Sequence, residues 1–355
     1  MIEIQKPAWL CSQKEYKEML QDYWEKVRDL HFNQEKGAPY WINKIKDFNI
    51  NPKKDFETLE DFLNQEVSLC DANELIEKPP SYFVPKITWR KKKEKISPFP
   101  SSGTSGRKKP HVWSEEALDY CSKYFNYILD AYRLDYGLEW FLPGTYGLYP
   151  AIMRRVIRER KGIFHFIPVE CRGLKKYLSP STPLDMEKAK SNPFLMARFG
   201  PLLEYSFDAL KRGIDVFGTI LPLLPLFENA PGFERVKAIL IGMEIQKDKF
   251  LEYKEKFKSK IIFNTYGNSN SGLFPNIPTK EIKYYPPAPL SYIYVVEEDN
   301  PLKTVRYGER GKLRNLKMDE YFLWNEVQDR DYAERIPPHK EFKWDGIKEI
   351  KVKWK

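Results

Sequence analysis

The chain has 355 residues, enough to bury a large core as one α/β domain or two smaller ones. Its formal charge of +9 is spread among 50 acidic residues, and its densest cationic run, Arg90-Lys91-Lys92-Lys93-Glu94-Lys95, accompanies no nucleic-acid-binding motif, so a solvated face is expected there and no nucleic-acid partner. Four cysteines with no C-x-x-C pair or zinc spacing, an opening without the apolar core of a signal peptide, and a longest apolar stretch (216–227) broken by Pro222 and Pro225 lead to the expectation of a cytoplasmic protein with free thiols, no structural metal and no membrane span.

In chain order, apolar residues at Tyr16, Leu20, Tyr23, Trp24, Val27 and Leu30 predict a helix over 14–31, and residues 1–90 read mostly as helices. The stretch Pro100-Ser101-Ser102-Gly103-Thr104-Ser105-Gly106-Arg107-Lys108-Lys109-Pro110 follows. Hydroxyls, glycines and cations crowded this tightly suit an anion, because glycine lets successive backbone N–H groups converge on one cluster of oxygens while the cations balance its charge. The spacing G-x-x-x-x-G-K-[ST] is not met from Gly103 or Gly106, which excludes a P-loop NTPase. Ser114 opens a helix with Glu115 and Glu116 in its first turn, continuing to about residue 134. Strands over 162–168, 235–241 and 259–263 alternate with helices near 201–212 and 247–257, a βαβ pattern. The apolar runs Ala238-Ile239-Leu240-Ile241-Gly242-Met243-Glu244-Ile245 and Ile261-Ile262-Phe263-Asn264-Thr265-Tyr266-Gly267-Asn268-Ser269-Asn270-Ser271-Gly272 each end in a turn, and ligands collect just beyond the carboxyl ends of parallel strands. After Pro286 the pattern changes to short β runs, among them Leu290-Ser291-Tyr292-Ile293-Tyr294-Val295-Val296. Ile350, Val352 and Trp354, alternating with lysines, read as a half-exposed strand.

The order and spacing of these segments resemble the adenylate-forming superfamily, especially its phenylacetate-CoA ligase and acyl-protein synthetase branch. Ser101-Ser102-Gly103-Thr104-Ser105-Gly106 is similar to that family's phosphate loop, Gly242-Met243-Glu244 to its Gly-Gly-Glu strand end, and Tyr266-Gly267-Asn268-Ser269-Asn270 to its Tyr-Gly-x-Thr-Glu motif. Its ribose-binding aspartate, which follows a Gly-Glu-x-Gly turn, falls at Asp329, downstream of Gly308-Glu309-Arg310-Gly311, with Asp331 as a rival. The helical opening, with Ala38-Pro39-Tyr40-Trp41 and Phe56-Glu57-Thr58-Leu59-Glu60-Asp61-Phe62, also resembles that branch. The fold so implied is α/β, the large N-terminal domain of adenylate-forming enzymes, with layered parallel-rich sheets and a smaller β-rich subdomain. Residues 1–90 would form a helical segment packed on the core, 91–285 the nucleotide-binding core and 286–355 the β-rich part. The family's mobile small C-terminal domain, which carries a catalytic lysine, would be absent.

The resemblance implies ATP-dependent activation of an aromatic or acyl carboxylic acid to an acyl-adenylate, with transfer to a thiol of coenzyme A or of a protein. ATP, Mg2+ and coenzyme A are the cofactors implied. Ser101, Ser102, Thr104 and Ser105, with the amides of Gly103 and Gly106, would hold the β- and γ-phosphates, Lys109 would be the loop lysine, and Tyr266 would stack on adenine. Gly267 would admit the nucleotide, and Gly242, Met243 and Glu244 would line its other face. Ser269 keeps the motif's hydroxyl. Asn270 replaces its metal-binding glutamate with an uncharged amide, a poorer magnesium ligand, so magnesium would bind chiefly through phosphates. Apolar residues of 199–201 and 213–224 would line the acid pocket. Cys171, beside Arg172, is a better candidate nucleophile than Cys121, which is expected to be buried, and His165 is expected as a satisfied strand histidine. Two other readings stand beside the ligase. One is a catalytically impaired subunit that binds nucleotide or acyl-adenylate and relies on a protein partner for the small domain or acyl acceptor; the other is a basic scaffold.

Overall fold

A computed structural model describes residues 2, 4, 6–101, 107–169, 192–242 and 247–352. The strands are β1 (Ile96–Pro100), β2 (Pro110–Ser114), β3 (Glu139–Gly144), β4 (Ile163–Pro168), β5 (Val216–Ile220), β6 (Ala238–Gly242), β7 (Ile261–Asn268), β8 (Gly272–Pro275), β9 (Lys283–Tyr284), β10 (Ser291–Val296), β11 (Arg310–Met318), β12 (Leu323–Ile336) and β13 (Gly346–Val352). They fall into two compact units. One comprises Met1–Tyr120, Asn268–Gly272 and Tyr285–Lys355; the other comprises Cys121–Gly267 and Leu273–Tyr284.

The first unit joins the N-terminal helices to an antiparallel sheet. Ser12 starts the helix Gln13–His31 with a capping box, its hydroxyl accepting from Glu15 N at 3.3 Å while the Glu15 carboxylate accepts from Ser12 N at 2.7 Å. One face of this helix buries Tyr16, Tyr23, Trp24 and Val27. Polar tips on that face and its neighbours then find backbone carbonyls. Tyr23 Oη donates to Met318 O at 3.0 Å, and Trp41 Nε1, from the helix Pro39–Asp47, donates to Leu323 O at 3.0 Å. Aromatic side chains of this size dominate core energetics, and a buried indole or phenol usually finds a partner for its polar tip. The sheet they cover runs β10-β11-β12-β13, antiparallel throughout, with Leu316 opposite Tyr292 and Asn325. Separately, β1 and β2 form a two-stranded antiparallel ribbon in which Pro100 faces Pro110.

The second unit carries a sheet of order β4-β3-β5-β6-β7-β8, whose first five strands are parallel. Trp140, Phe141 and Leu142 of β3, and all of Ala238–Ile241 in β6, are buried, as expected of strands covered on both faces. Gly218 in β5 is required by that packing, since a Cβ there would lie 2.6 Å from Leu142 Cδ2 and 3.1 Å from Phe141 O.

Among the described residues no helix is long and apolar enough to cross a membrane. The helix expected from residue 201 instead spans Pro193–Arg212, with Pro201 inside it. A leading proline costs nothing at Pro193, where the first turn has no use for the N–H, and that moves the start upstream.

Candidate functional site

The glycine-rich loop is the tip of the β1/β2 ribbon. Beyond the Pro100/Pro110 pair the ladder gains one more rung, in which Ser101 N donates to Lys109 O at 2.8 Å and Lys109 N donates to Ser101 Oγ at 2.9 Å. Ser101 and Lys109 therefore close the neck of the loop from both sides. Ser102, Gly103, Thr104, Ser105 and Gly106 lie outside the described residues, as do Met243, Glu244 and Cys171 and the side chain of Asp329. On the returning arm Arg107 and Lys108 are exposed and Lys109 is half-buried.

Below the neck the ribbon is tied to β12 by a buried polar cluster. His111, 2% exposed, sets Nδ1 at 3.2 Å from Lys109 O and Nε2 at 3.4 Å from Glu326 Oε2. Glu326 also accepts from Trp324 Nε1 and Gln328 Nε2, each at 2.6 Å. Burial pushes the Glu326 carboxyl up, but the charge and hydrogen bond of His111 and the bonds from Trp324 and Gln328 outweigh it and hold the carboxyl below its ordinary value. Both ring nitrogens face oxygens, so both contacts are hydrogen bonds only when both nitrogens carry protons.

Two residues further along β2, Trp113 is fully buried and its Nε1 donates to Ser269 O at 2.8 Å. Lys317 lies against the same ring, Nζ 3.8 Å from its centroid, and is itself fully buried. Its ammonium donates to Val112 O at 2.5 Å and lies 3.4 Å from Asp319 Oδ2. The strand leaving the loop is thus fastened to the backbone of the 268–271 turn. That turn is shaped by Asn268, whose Oδ1 accepts from Asn270 N at 3.0 Å and Ser271 N at 2.8 Å. Asn270 is 1% exposed. Its Nδ2 donates to Asn315 O at 3.0 Å, while Oδ1 is buried without a hydrogen-bond partner, the one uncommitted oxygen the side chain could offer a metal ion. No group of three or more His, Cys, Asp or Glu suited to a metal occurs among the described residues.

In the second unit, Gly242 ends β6 and Tyr266 sits near the end of β7. Asn264, 1% exposed, holds the two strand ends in register: its Nδ2 donates to Ile241 O at 2.7 Å and its Oδ1 accepts from Tyr284 Oη. Tyr266 is half-buried, its ring meeting Phe274 at 73° and a centroid distance of 5.8 Å, with Tyr284 at 6.0 Å. Gly267 beside it is exposed. At Gly242 a Cβ would meet only ordinary contacts, Thr219 O at 3.8 Å and Ile220 Cγ2 at 3.9 Å. Packing against the described residues therefore does not require glycine there, unlike at Gly218.

Asp329 and Asp331 both lie on β12, Asp331 paired with Val352, and Gly308 takes the left-handed φ of 86° at the turn into β11. Cys121 is fully buried in the helix Glu115–Ala131. His165 sets Nε2 3.3 Å from Glu139 Oε2 on the neighbouring strand. Ile214, Val216, Phe217, Leu221, Leu223 and Leu224, from the stretch expected to line an acid pocket, are buried in the second unit.

Sequence reasoning missed His111, Glu326, Trp113, Lys317 and Asn264. The first four lie 156 to 215 positions from the partners they hold across the fold, so no local spacing could reveal them. Asn264 had a local signal, a polar side chain inside the apolar run Ile261-Ile262-Phe263.

Neither a protein-family model nor a curated protein sequence matches the chain. Solved structures do resemble it. An open conformation of 2-hydroxyisobutyryl-CoA ligase in complex with 2-HIB-AMP and CoA superposes with a TM-score of 0.65 at 12% identity, covering 95% of this chain and 74% of that one. The same ligase with 2-HIB-AMP and CoA in the thioesterification state gives 0.63 at 14% identity, covering 97% and 69%. Its postadenylation state with 2-HIB-AMP gives 0.64 at 12% identity, covering 95% and 67%. The parallel-rich sheet of the second unit and the β-rich sheet of the first are those of this architecture: the chain has the fold of the large N-terminal domain of adenylate-forming enzymes.

Proposed function

We propose that the chain is an ATP-dependent carboxylate-adenylating ligase. The observation that carries this reading is the Ser/Gly/Lys loop closed at its neck by Ser101 and Lys109 on a fold shared with a ligase crystallised with an acyl-adenylate and CoA. A carboxylate oxygen attacks the α-phosphorus of ATP, the bond to the bridging oxygen breaks, pyrophosphate leaves, and an acyl-adenylate remains. Such a transfer is driven by positioning and charge neutralisation more than by a base.

In this scheme Ser101, Ser102, Thr104 and Ser105 and the Gly103 and Gly106 amides bind the β- and γ-phosphates, with Lys109 balancing their charge. Tyr266 stacks on adenine, Gly267 and the Gly242, Met243 and Glu244 segment flank it, and Asp329 holds the ribose. Ser269 gives a hydroxyl to phosphate. Magnesium, when bound, neutralises phosphate charge, and Asn270 Oδ1 is the atom of this chain that would meet it. The adenylate is then consumed by a thiol, of coenzyme A or of a protein.

Exchange of labelled pyrophosphate into ATP, dependent on a member of a pool of aromatic and aliphatic acids, tests the reaction. Exchange is the expected result. A thermal shift with ATP but no exchange with any acid would instead favour a nucleotide-binding subunit that relies on a partner, the reading to which Asn270 in place of a carboxylate points. Tyr266→Ala is expected to weaken ATP binding by about 1–3 kcal/mol, the range for aromatic–base stacking. Unchanged ATP affinity in calorimetry would remove Tyr266 from the nucleotide site.

A further inference from the structure

The neck of the glycine-rich loop has little support from its own ribbon. β1 and β2 make a sheet of two strands only, and a pair of strands with no third is marginal by itself. Antiparallel rungs alternate between hydrogen-bonded and open pairs. Ser101 and Lys109 form a bonded rung, with Ser101 N donating to Lys109 O, so the adjoining Pro100/Pro110 rung is an open one whose N–H positions face outward. Both are prolines and have no N–H to give, so no further strand could be tied on there. The neck has to be held by a side chain.

His111, directly after Pro110, is placed to do it. Its Nδ1 lies 3.2 Å from Lys109 O and its Nε2 lies 3.4 Å from Glu326 Oε2. Glu326 in turn accepts from Trp324 Nε1 and Gln328 Nε2 at 2.6 Å each, which fixes its carboxylate on β12. The ring and the carboxylate are 2% and 5% exposed, so water does not compete for either contact. One imidazole thus spans from the neck to a strand of the four-stranded antiparallel run β10-β11-β12-β13, and all of these residues belong to the first unit.

Lys109 depends on this hold more than its neighbours do. Its hydrogen bonds are made by its backbone, and its side chain has no hydrogen bond or ion pair among the described residues. Nothing at the tip aims the ammonium. A lysine stem is flexible, so the reach of its charge is narrowed only by fixing the root.

We propose that His111 is a positioning residue for Lys109: bridged to Glu326, it clamps the Lys109 carbonyl and so sets the direction in which the lysine side chain leaves the neck. That the ammonium so aimed meets the phosphates of ATP rests on the nucleotide reading above; the clamp itself does not.

Two substitutions each keep half of the bridge. In His111→Asn an amide nitrogen stands in for Nδ1 and the reach to Glu326 is lost; in His111→Gln it stands in for Nε2 and the contact with Lys109 O is lost. Hydrogen exchange of the full chain without nucleotide is the first readout. The Ser101 and Lys109 amides are expected to exchange about tenfold faster in both variants, the effect of losing one hydrogen bond, while the amides of the helix Gln13–His31 keep their wild-type rates. Wild-type exchange at the neck in either variant overturns the clamp, which needs both contacts. An equal rise along Gln13–His31 marks a general loss of stability and overturns it too. The second readout is ATP affinity by calorimetry. Lys109→Ala is expected to weaken binding about tenfold and His111→Asn about fivefold, and the double variant no more than Lys109→Ala alone, because His111 acts through Lys109. Additive losses overturn the positioning role. Faster exchange at the neck in a wild-type background that binds no ATP would leave the clamp standing and remove the nucleotide reading, and ATP binding with wild-type neck exchange in both His111 variants would do the reverse.

Discussion

Lys317→Ala is expected to destabilise the protein by about 3–5 kcal/mol, the usual cost of removing one partner from a buried ion pair. The side chain is fully buried, so its ammonium receives no help from water, and three groups compensate it: Val112 O at 2.5 Å, Asp319 Oδ2 at 3.4 Å and the face of Trp113 at 3.8 Å. Truncation leaves a carbonyl without its donor, a carboxylate without its counter-charge and a void under an indole. Asp319 keeps some support, since its Oδ1 accepts from Tyr321 N and Phe322 N at 2.7 Å each. Lys317→Met fills most of the volume while removing the charge, so the difference between the two variants in urea unfolding separates cavity from electrostatics. Both should also loosen Trp113, whose indole anchors the Ser269 carbonyl. A loss under 1 kcal/mol for the alanine variant would mean that Lys317 escapes to water in solution.

Sequence and structure agree where a local pattern maps onto a local element. The helix Gln13–His31 follows the 3.6-residue rhythm of Tyr16, Leu20, Tyr23, Trp24 and Val27, and Ser114 does open the next long helix, its Oγ accepting from Ala117 N at 3.1 Å. The apolar runs ending at Gly242 and Tyr266 are parallel neighbours, β6 and β7, as a βαβ pattern requires. The ribbon flanking the glycine-rich loop was less legible. Pro98, Pro100 and Pro110 argue against strand, yet two strands with only each other for a partner can place proline where no ladder N–H is needed. β3 went unmarked because Trp140-Phe141-Leu142 is too short a run to separate from a buried helix segment. What was invisible is the support beneath the site: the ties from His111 to Glu326, Trp113 to Ser269 and Lys317 to Val112 join positions far apart in the chain, and only the completed fold brings them together.

Acid should weaken the fold well above the pH at which its carboxylates titrate, and His31 is the reason. This side chain is fully buried, with Nε2 at 2.8 Å from Asp319 O and Nδ1 buried without a partner, so it is held neutral with the proton on Nε2. Burial, only partly offset by the Asp319 carbonyl and the charge of Glu320, lowers its pKa from 6.5 to about 4. The unfolded chain therefore binds a proton that the folded chain refuses. Stability is complete above pH 6.5 and falls as the pH drops towards 4, by about 3 kcal/mol for a displacement of this size. Below that interval Glu326 takes over with the same sign: its lowered carboxyl contributes stability above the ordinary value of 4.5 and loses it as the pH falls through the folded-state value. Urea midpoints measured from pH 8 to pH 4 should decline through the first interval in the wild type. In His31→Gln, whose amide can still donate to Asp319 O without titrating, that decline should largely disappear, leaving only the steeper loss at lower pH. An unchanged slope in the variant would show that His31 is not the group that takes up the proton.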